Sequence, residues 1–199
     1  MKPRALAEQE DHLVAVISSD RFLNMQGLGG ELPFWIYPYP PADTLEIDAA
    51  RGRIINKLRN KGINPVEINL YDVAIDAIKE FGAFEQLLEI EPDTDKDAFL
   101  EALQGLLDPA SELAPRIAQL VADCSPQVVF ITGSGEVFPF IRTHNVLNAL
   151  HSAINDVPVV TWFPGAYEQS DTQGSSLDLF GLIHDDQYYR ARDIRFQEI

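Results

Sequence analysis

The chain has 199 residues, 46% hydrophobic and 23% charged, which is ordinary globular usage and excludes disorder as the main state. Its 15 Lys and Arg against 31 Asp and Glu leave a net charge of −16. This excludes nucleic-acid binding through the overall field, because neutralising phosphates takes a Lys/Arg surface. The single cysteine, Cys124, excludes an intrachain disulfide and a cysteine-rich zinc site.

The opening residues, Met1-Lys2-Pro3-Arg4 followed by Glu8, Glu10 and Asp11, show no apolar run of the signal-peptide type. No stretch approaches the ~18 consecutive apolar residues of a membrane span. A soluble, cytoplasmic protein of one domain over 1–199 is the expectation, starting with a helix over 11–23.

The first strand is Phe34-Trp35-Ile36-Tyr37, closed by Pro38, Pro40 and Pro41, since proline stops a ladder. Asp43-Thr44-Leu45-Glu46 reads as a capping box. The helix it opens carries Ile47, Ala50, Ile54 and Leu58 on one stripe and stops at Gly62. The second strand is Val66 to Leu70, and Asp72 is placed to cap a helix with Ile75, Ile78 and Phe81 inside. Asp95 can cap another, holding Phe99, Leu103 and Leu106, and Pro115 can open a fourth, holding Ile117, Leu120 and Val121. These extra helices, at about 95–124, form an insertion before the third strand, Val128-Val129-Phe130-Ile131. A fifth helix is predicted from about Pro139, with Phe140, Leu147, Leu150 and Ile154, before the fourth strand, Val157 to Phe163. The polar, small residues 166–176 predict a mobile loop, and Leu179 to Ile183 a weaker fifth strand.

Most of these strands are continuous apolar runs, as in sheets covered on both faces. Strands alternating with helices imply right-handed crossovers. The fold class is therefore α/β: an open, mainly parallel sheet flanked by helices, with a helical insertion.

Charge is unevenly spread. Residues 84–112 hold nine acids and one base, a net of −8. The helix at 51–61 carries Arg51, Arg53, Lys57, Arg59 and Lys61 with no acid. Each segment reads either as a solvated helix face or as a docking surface; the basic one is where any weak DNA contact would map.

Phe130 to His144 form a strand, a small-residue loop and a helix, the place where open parallel sheets bind ligands. Gly133, Ser134, Gly135 and Glu136 are the candidate functional loop, and Arg142 is expected to pair with a carboxylate such as Glu136 and fix it. Three motifs fail here: there is no Gly-Lys-Ser/Thr ending, Phe138 stands where a dinucleotide fingerprint needs a small residue, and Thr132 and Glu136 replace the glycines of a nucleophile elbow. The alternative is a tight turn that requires small residues. Ser134 with His144 suggests a hydrolase, but no spacing brings them together. His144 and His151 are seven apart, not the four of a helical metal pair, and His184-Asp185-Asp186 alternate across a strand. No catalytic residue, metal or cofactor is assigned.

Several segments together resemble a known family: Pro33-Phe34-Trp35-Ile36-Tyr37-Pro38-Tyr39-Pro40, Ile68-Asn69-Leu70-Tyr71-Asp72, Thr132-Gly133-Ser134-Gly135-Glu136-Val137-Phe138-Pro139-Phe140-Ile141-Arg142, Phe163-Pro164-Gly165 and Asp186-Gln187-Tyr188-Tyr189-Arg190-Ala191. The chain resembles BrxB, a component of the bacterial phage-exclusion systems called BREX, from about residue 22 to 192. The resemblance implies a role in antiviral defence beside a DNA methyltransferase, a large ATPase and the alkaline-phosphatase-like protein PglZ. It transfers no catalytic residue. The expected function is a non-enzymatic adaptor docking on other BREX proteins, PglZ foremost, with DNA contact weak or absent and a homodimer open. The alternative is a nucleotide- or small-ligand-binding protein, or an enzyme, using the Gly133–Gly135 loop. The docking residues expected are Asp93, Asp95 and Asp97 for steering, with the exposed members of Trp35, Tyr37, Tyr39, Phe138, Tyr188 and Tyr189 as anchors.

Overall fold

The computed structural model describes residues 6–26, 33–170, 174–183 and 191–199. Alternation along its strands decides the architecture. Phe34, Ile36, Val129, Ile131 and Val159 point to one side of the sheet, and Trp35, Tyr37, Val128, Phe130, Val160 and Trp162 to the other. Both sets are buried, so both faces need helices.

The strands are β1 (Phe34–Tyr39), β2 (Pro65–Asn69), β3 (Val128–Thr132), β4 (Val159–Ser170), β5 (Gly174–Leu179) and β6 (Arg192–Asp193). Their order is β2-β3-β4-β1-β6, with every pairing on that path parallel, while β5 pairs antiparallel with the far half of β4. The connection leaving β1 runs towards one edge and those leaving β2 and β3 run back. With right-handed crossovers, these connections cover opposite faces. Accordingly α1 (Leu6–Ile17) and α3 (Thr44–Asn60) pack on the Trp35 face, while α4 (Leu70–Glu80), α7 (Ala114–Cys124) and α8 (Thr143–Ala153) pack on the Phe34 face. The fold is the open, mainly parallel α/β sheet that the periodicities predict. Among the described residues no helix is long and apolar enough to cross a membrane.

Several local expectations are corrected. The helix expected over 11–23 is two, α1 and α2 (Asp20–Leu23), because the Ser19 hydroxyl accepts the Phe22 amide and starts a new helix. Asp43 sits at the N-cap of α3 but makes no side-chain capping bond. The Asn69 carboxamide, not Asp72, caps α4, accepting the Tyr71 amide at 2.7 Å. Ile75 is half-buried and Phe81 exposed, so the inward stripe of α4 is Val73, Ala74, Ala77 and Ile78. The expected loop at 166–176 is largely the β4–β5 hairpin, in which Tyr167 and Leu177 are register partners and both buried. The fifth strand expected over 179–183 is not formed: Leu179 ends β5, Phe180 and Gly181 have φ of 58° and 68°, and the chain turns so that Leu179 bridges Ile183.

The insertion between β2 and β3 holds α5 (Phe84–Ile90), α6 (Lys96–Leu106) and a π-helical turn, Pro109–Leu113, before α7. Asp95 caps α6 by accepting the Asp97 and Ala98 amides. Neither α5 nor α6 contains a buried residue.

Candidate functional site

β3 delivers the chain into the loop at Gly133, whose φ is +78°. A side chain there would collide with the Asn69 carboxamide, and a Cβ on Gly135 would stand 2.9 Å from the Phe180 ring. Gly133 is thus required by its backbone angle and this collision together, whereas a side chain at Gly135 needs the Phe180 ring to shift. The Gly133 carbonyl accepts the Glu136 and Val137 amides at 3.1 and 3.2 Å, so the loop's backbone donors turn inward at these two positions. The following helix does not begin near Pro139. The turn continues through Phe140, and α8 starts at Thr143 with Arg142 at its N-cap. Proline has no N–H and biases its predecessor away from helical angles, which delays the helix. The helix N-terminus is therefore displaced from the loop, and the arrangement is not a phosphate cradle of the strand–loop–helix type.

What the loop does line is an open cleft of about 190 Å³. It lies at the carboxyl ends of the strands, the usual ligand position in open parallel sheets. Its walls come from Tyr39 ending β1, Thr44, Asp48 and Arg51 of α3, Asn69 and Thr132 ending β2 and β3, Gly133 to Glu136, and Pro164 with Phe180. Arg51 is the anchor of one wall. Its Nε donates to Glu67 at 2.9 Å and its Nη1 to Asp48 at 2.7 Å, and the guanidinium lies over Trp162, 5.6 Å from the ring centroid. Thr132 Oγ1 donates to the same Glu67 oxygen at 3.3 Å. Burial, reinforced by Asp48, pushes the Tyr39 hydroxyl up to about 12. Ser134 is 1% exposed and its Oγ has no hydrogen-bond partner, so His144 does not serve it as a base.

The predicted residues are scattered. Arg142 does not reach Glu136: among the described residues neither has an ion pair, and the guanidinium instead stacks on Phe138, 5.0 Å from the ring centroid. Trp35, Tyr37 and Tyr39 are 2%, 2% and 7% exposed, so they are not surface anchors. They fail in that role because the N-terminal helices and α3 cover their face; Tyr37 donates to Gln9 Oε1 of α1 at 2.7 Å. Phe138 is half-buried. Tyr188 and Tyr189 lie outside the described residues. Asp93, Asp95 and Asp97 are all exposed on the insertion. The basic helix is substantially neutralised from within: Arg53 reaches Glu10 at 2.5 Å, Lys57 reaches Asp11 at 2.8 Å, and Arg51 is committed to the cleft wall.

Sequence reasoning missed Asp48, Glu67 and Tyr39 as cleft residues and took Arg51 for part of a basic face. Asp48 and Arg51 are three apart on a helix, a pairing visible in the sequence, but Glu67 comes from another strand and carries no local signal.

These features define a class: an open parallel α/β protein with an acidic helical insertion and a polar cleft at the strand ends. A model of the family described as "BREX protein BrxB" matches residues 66–194. A protein of Bacillus cereus (strain H3081.97) named BREX protein BrxB is 33% identical over 190 residues, covering 94% of this chain and 96% of the relative. One of the same name from Escherichia coli O9:H4 (strain HS) is 29% identical over 175 residues, covering 88% and 84%. No solved structure matches. The chain belongs to the BrxB family of BREX proteins.

Proposed function

We propose that the chain is a non-enzymatic docking subunit of a BREX antiphage system and that its partner is PglZ. The observation that carries this reading is the insertion. Residues 84–112 have a net charge of −8, α5 and α6 bury none of their residues, and Leu88 and Ile90 are 51% and 39% exposed. Phe81, at the end of α4, and Leu120, on α7, add exposed apolar surface of 44% and 42%, and Arg116 stacks on Phe81. An acidic surface bearing apolar side chains suits a partner with a basic face around an apolar centre. Charge of this kind acts chiefly on the association rate and its salt dependence, and affinity comes from a few apolar anchors.

The test is binding kinetics of the full chain against purified PglZ and the other BREX proteins at two salt concentrations. Reversing Asp93 and Asp97 should slow association and flatten its salt dependence, with dissociation little changed. Leu88→Ala should speed dissociation instead. Absence of a complex with PglZ would remove it as the partner, and absence of a complex with any BREX protein would overturn the docking reading.

A further inference from the structure

We propose that residues 84–106, the two-helix part of the insertion, form an arm that opens from the body as one unit while the rest of the chain stays folded, and that cationic charge closes it. The inference deepens the docking reading: it rests on that reading for the source of the charge, a basic partner, and not for the opening itself.

Packing sets the arm apart. α5 and α6 contain no buried residue, whereas α8, equal in length to α6, buries Thr143, His144, Val146, Leu147 and Leu150. The arm packs on the core through Phe84, Leu87, Leu103 and Leu106, each of them only half-buried. A segment that buries so little apolar area opens at a lower free energy than the core does. Among the described residues its polar ties to the body are weak. Gln104 Nε2 donates to the Pro139 carbonyl at 3.4 Å, and the Lys79 ammonium lies 5.4 Å from the Phe84 ring centroid.

Both ends of the arm mark a change in packing. Gly82, just before it, has a φ of +70° and open space where a side chain would stand. Burial resumes at Leu107, which is 1% exposed. Asp108 then accepts the Ala110 and Ser111 amides, so the next turn starts on its own cap and does not depend on α6.

Charge opposes closure. The arm holds seven acids and one base, Lys96, a net of −6, and among the described residues none of the seven is in an ion pair. Glu85 and Glu89 on α5, and Asp97 and Glu101 on α6, stand four apart, where like charges destabilise a helix. The whole chain carries −16, so the remainder carries −10, and closing the arm brings like charge together. Salt screens that repulsion and a basic surface offsets it. A basic partner therefore fixes the arm, and with it the positions of the exposed Leu88 and Ile90.

The test is amide hydrogen exchange of the full chain, read by mass spectrometry and corrected for intrinsic rates. Peptides across 84–106 should exchange roughly tenfold or more faster than those of β3 and α8. Their rates should respond weakly to urea below the unfolding transition, because local opening exposes little surface, while β3 follows global unfolding. High salt, and octalysine at low salt, should each slow exchange in the arm by roughly threefold or more. Glu89→Gln removes one repelling charge from α5, and because the arm opens as a unit it should slow exchange across α6 as well. Arm exchange as slow as that of β3, or as sensitive to urea, would overturn the opening. Slowing by Glu89→Gln confined to α5 would overturn the single unit, and no response to salt or octalysine would overturn the control by charge. None of these measurements uses PglZ, so the arm and the docking partner fail separately.

Discussion

The Asn69 carboxamide occupies the space in which any side chain at Gly133 would have to stand, while its oxygen accepts the Tyr71 amide at 2.7 Å. One residue thus caps α4 and sets the shape of the neighbouring loop. Gly133→Ala combines a left-handed φ of +78° with that collision and should cost about 2–4 kcal/mol. Gly62→Ala has a similar φ of +79° but open space around it, and should cost only about 1–2 kcal/mol. Urea denaturation of both variants makes the comparison; equal losses would show that Asn69 exerts no steric constraint.

Asp95 differs from its acidic neighbours because its carboxylate accepts two amides of α6, from Asp97 at 3.0 Å and Ala98 at 3.2 Å. Asp95→Ala should cost about 1 kcal/mol and fray the helix start. Asp93→Ala, on an exposed residue with no such bond, should stay within about 0.5 kcal/mol of the parent. Circular dichroism during thermal melting distinguishes them, which is why the binding experiment reverses Asp93 and Asp97 and spares Asp95.

The ion pairs between α1 and α3 make a prediction about nucleic acid. Glu10 is 7% exposed and lies against Arg53 and Lys57, and Asp11 adds a second partner for Lys57. Replacing both acids, with Glu10→Gln and Asp11→Asn, releases these cations and should raise low-salt affinity for duplex DNA above that of the parent chain. The gain should fall steeply as salt rises. Fluorescence anisotropy across a salt series reads this out; an unchanged affinity would separate the basic helix from any DNA contact.

Alkaline stability follows from two buried tyrosines. Burial pushes both Tyr37 and Tyr39 up to about 12. A raised pKa means that the folded chain holds the phenolic proton more tightly than the unfolded one. The associated stability is therefore complete below pH 10 and is lost as pH rises from 10 to 12. About 2–3 kcal/mol per tyrosine is at stake. Denaturation midpoints should fall over that window, and Tyr37→Phe should blunt the fall. A flat profile in the parent would contradict the burial argument.

Much of the frame was legible in the chain. The apolar runs at 34–37 and 128–131 fall within strands, those at 66–70 and 157–163 overrun theirs by one and two residues, and the stripe Ile47, Ala50, Ile54 and Leu58 lies on the buried face of α3. Asp95 and Pro115 mark helix starts as expected. These signals are local: they rest on periodicity, on a cap reaching two or three residues ahead, or on proline's missing donor. The β4–β5 hairpin was harder to see. Glu168 pairs with Ser176 and Ala166 with Asp178, so its composition resembles a loop, and among the described residues Tyr167, Leu177 and Leu179 are buried.

The sequence by itself determined the parallel α/β class, the covered sheet, the positions of most helices and the family, because each depends on residues close together in the chain or on a continuous string of them. Tertiary structure alone decided which aromatic residues reach the surface and which side chains share the cleft. Tyr37 and Tyr39 look like exposed anchors after a proline-ended strand until the N-terminal helices and α3 cover them. Arg51 looks like one of five cations on a solvated helix until Glu67 of β2 and Trp162 of β4 fix it in a wall. Burial and ion pairing are set by elements far apart in sequence, and local periodicity carries no information about which of them meet.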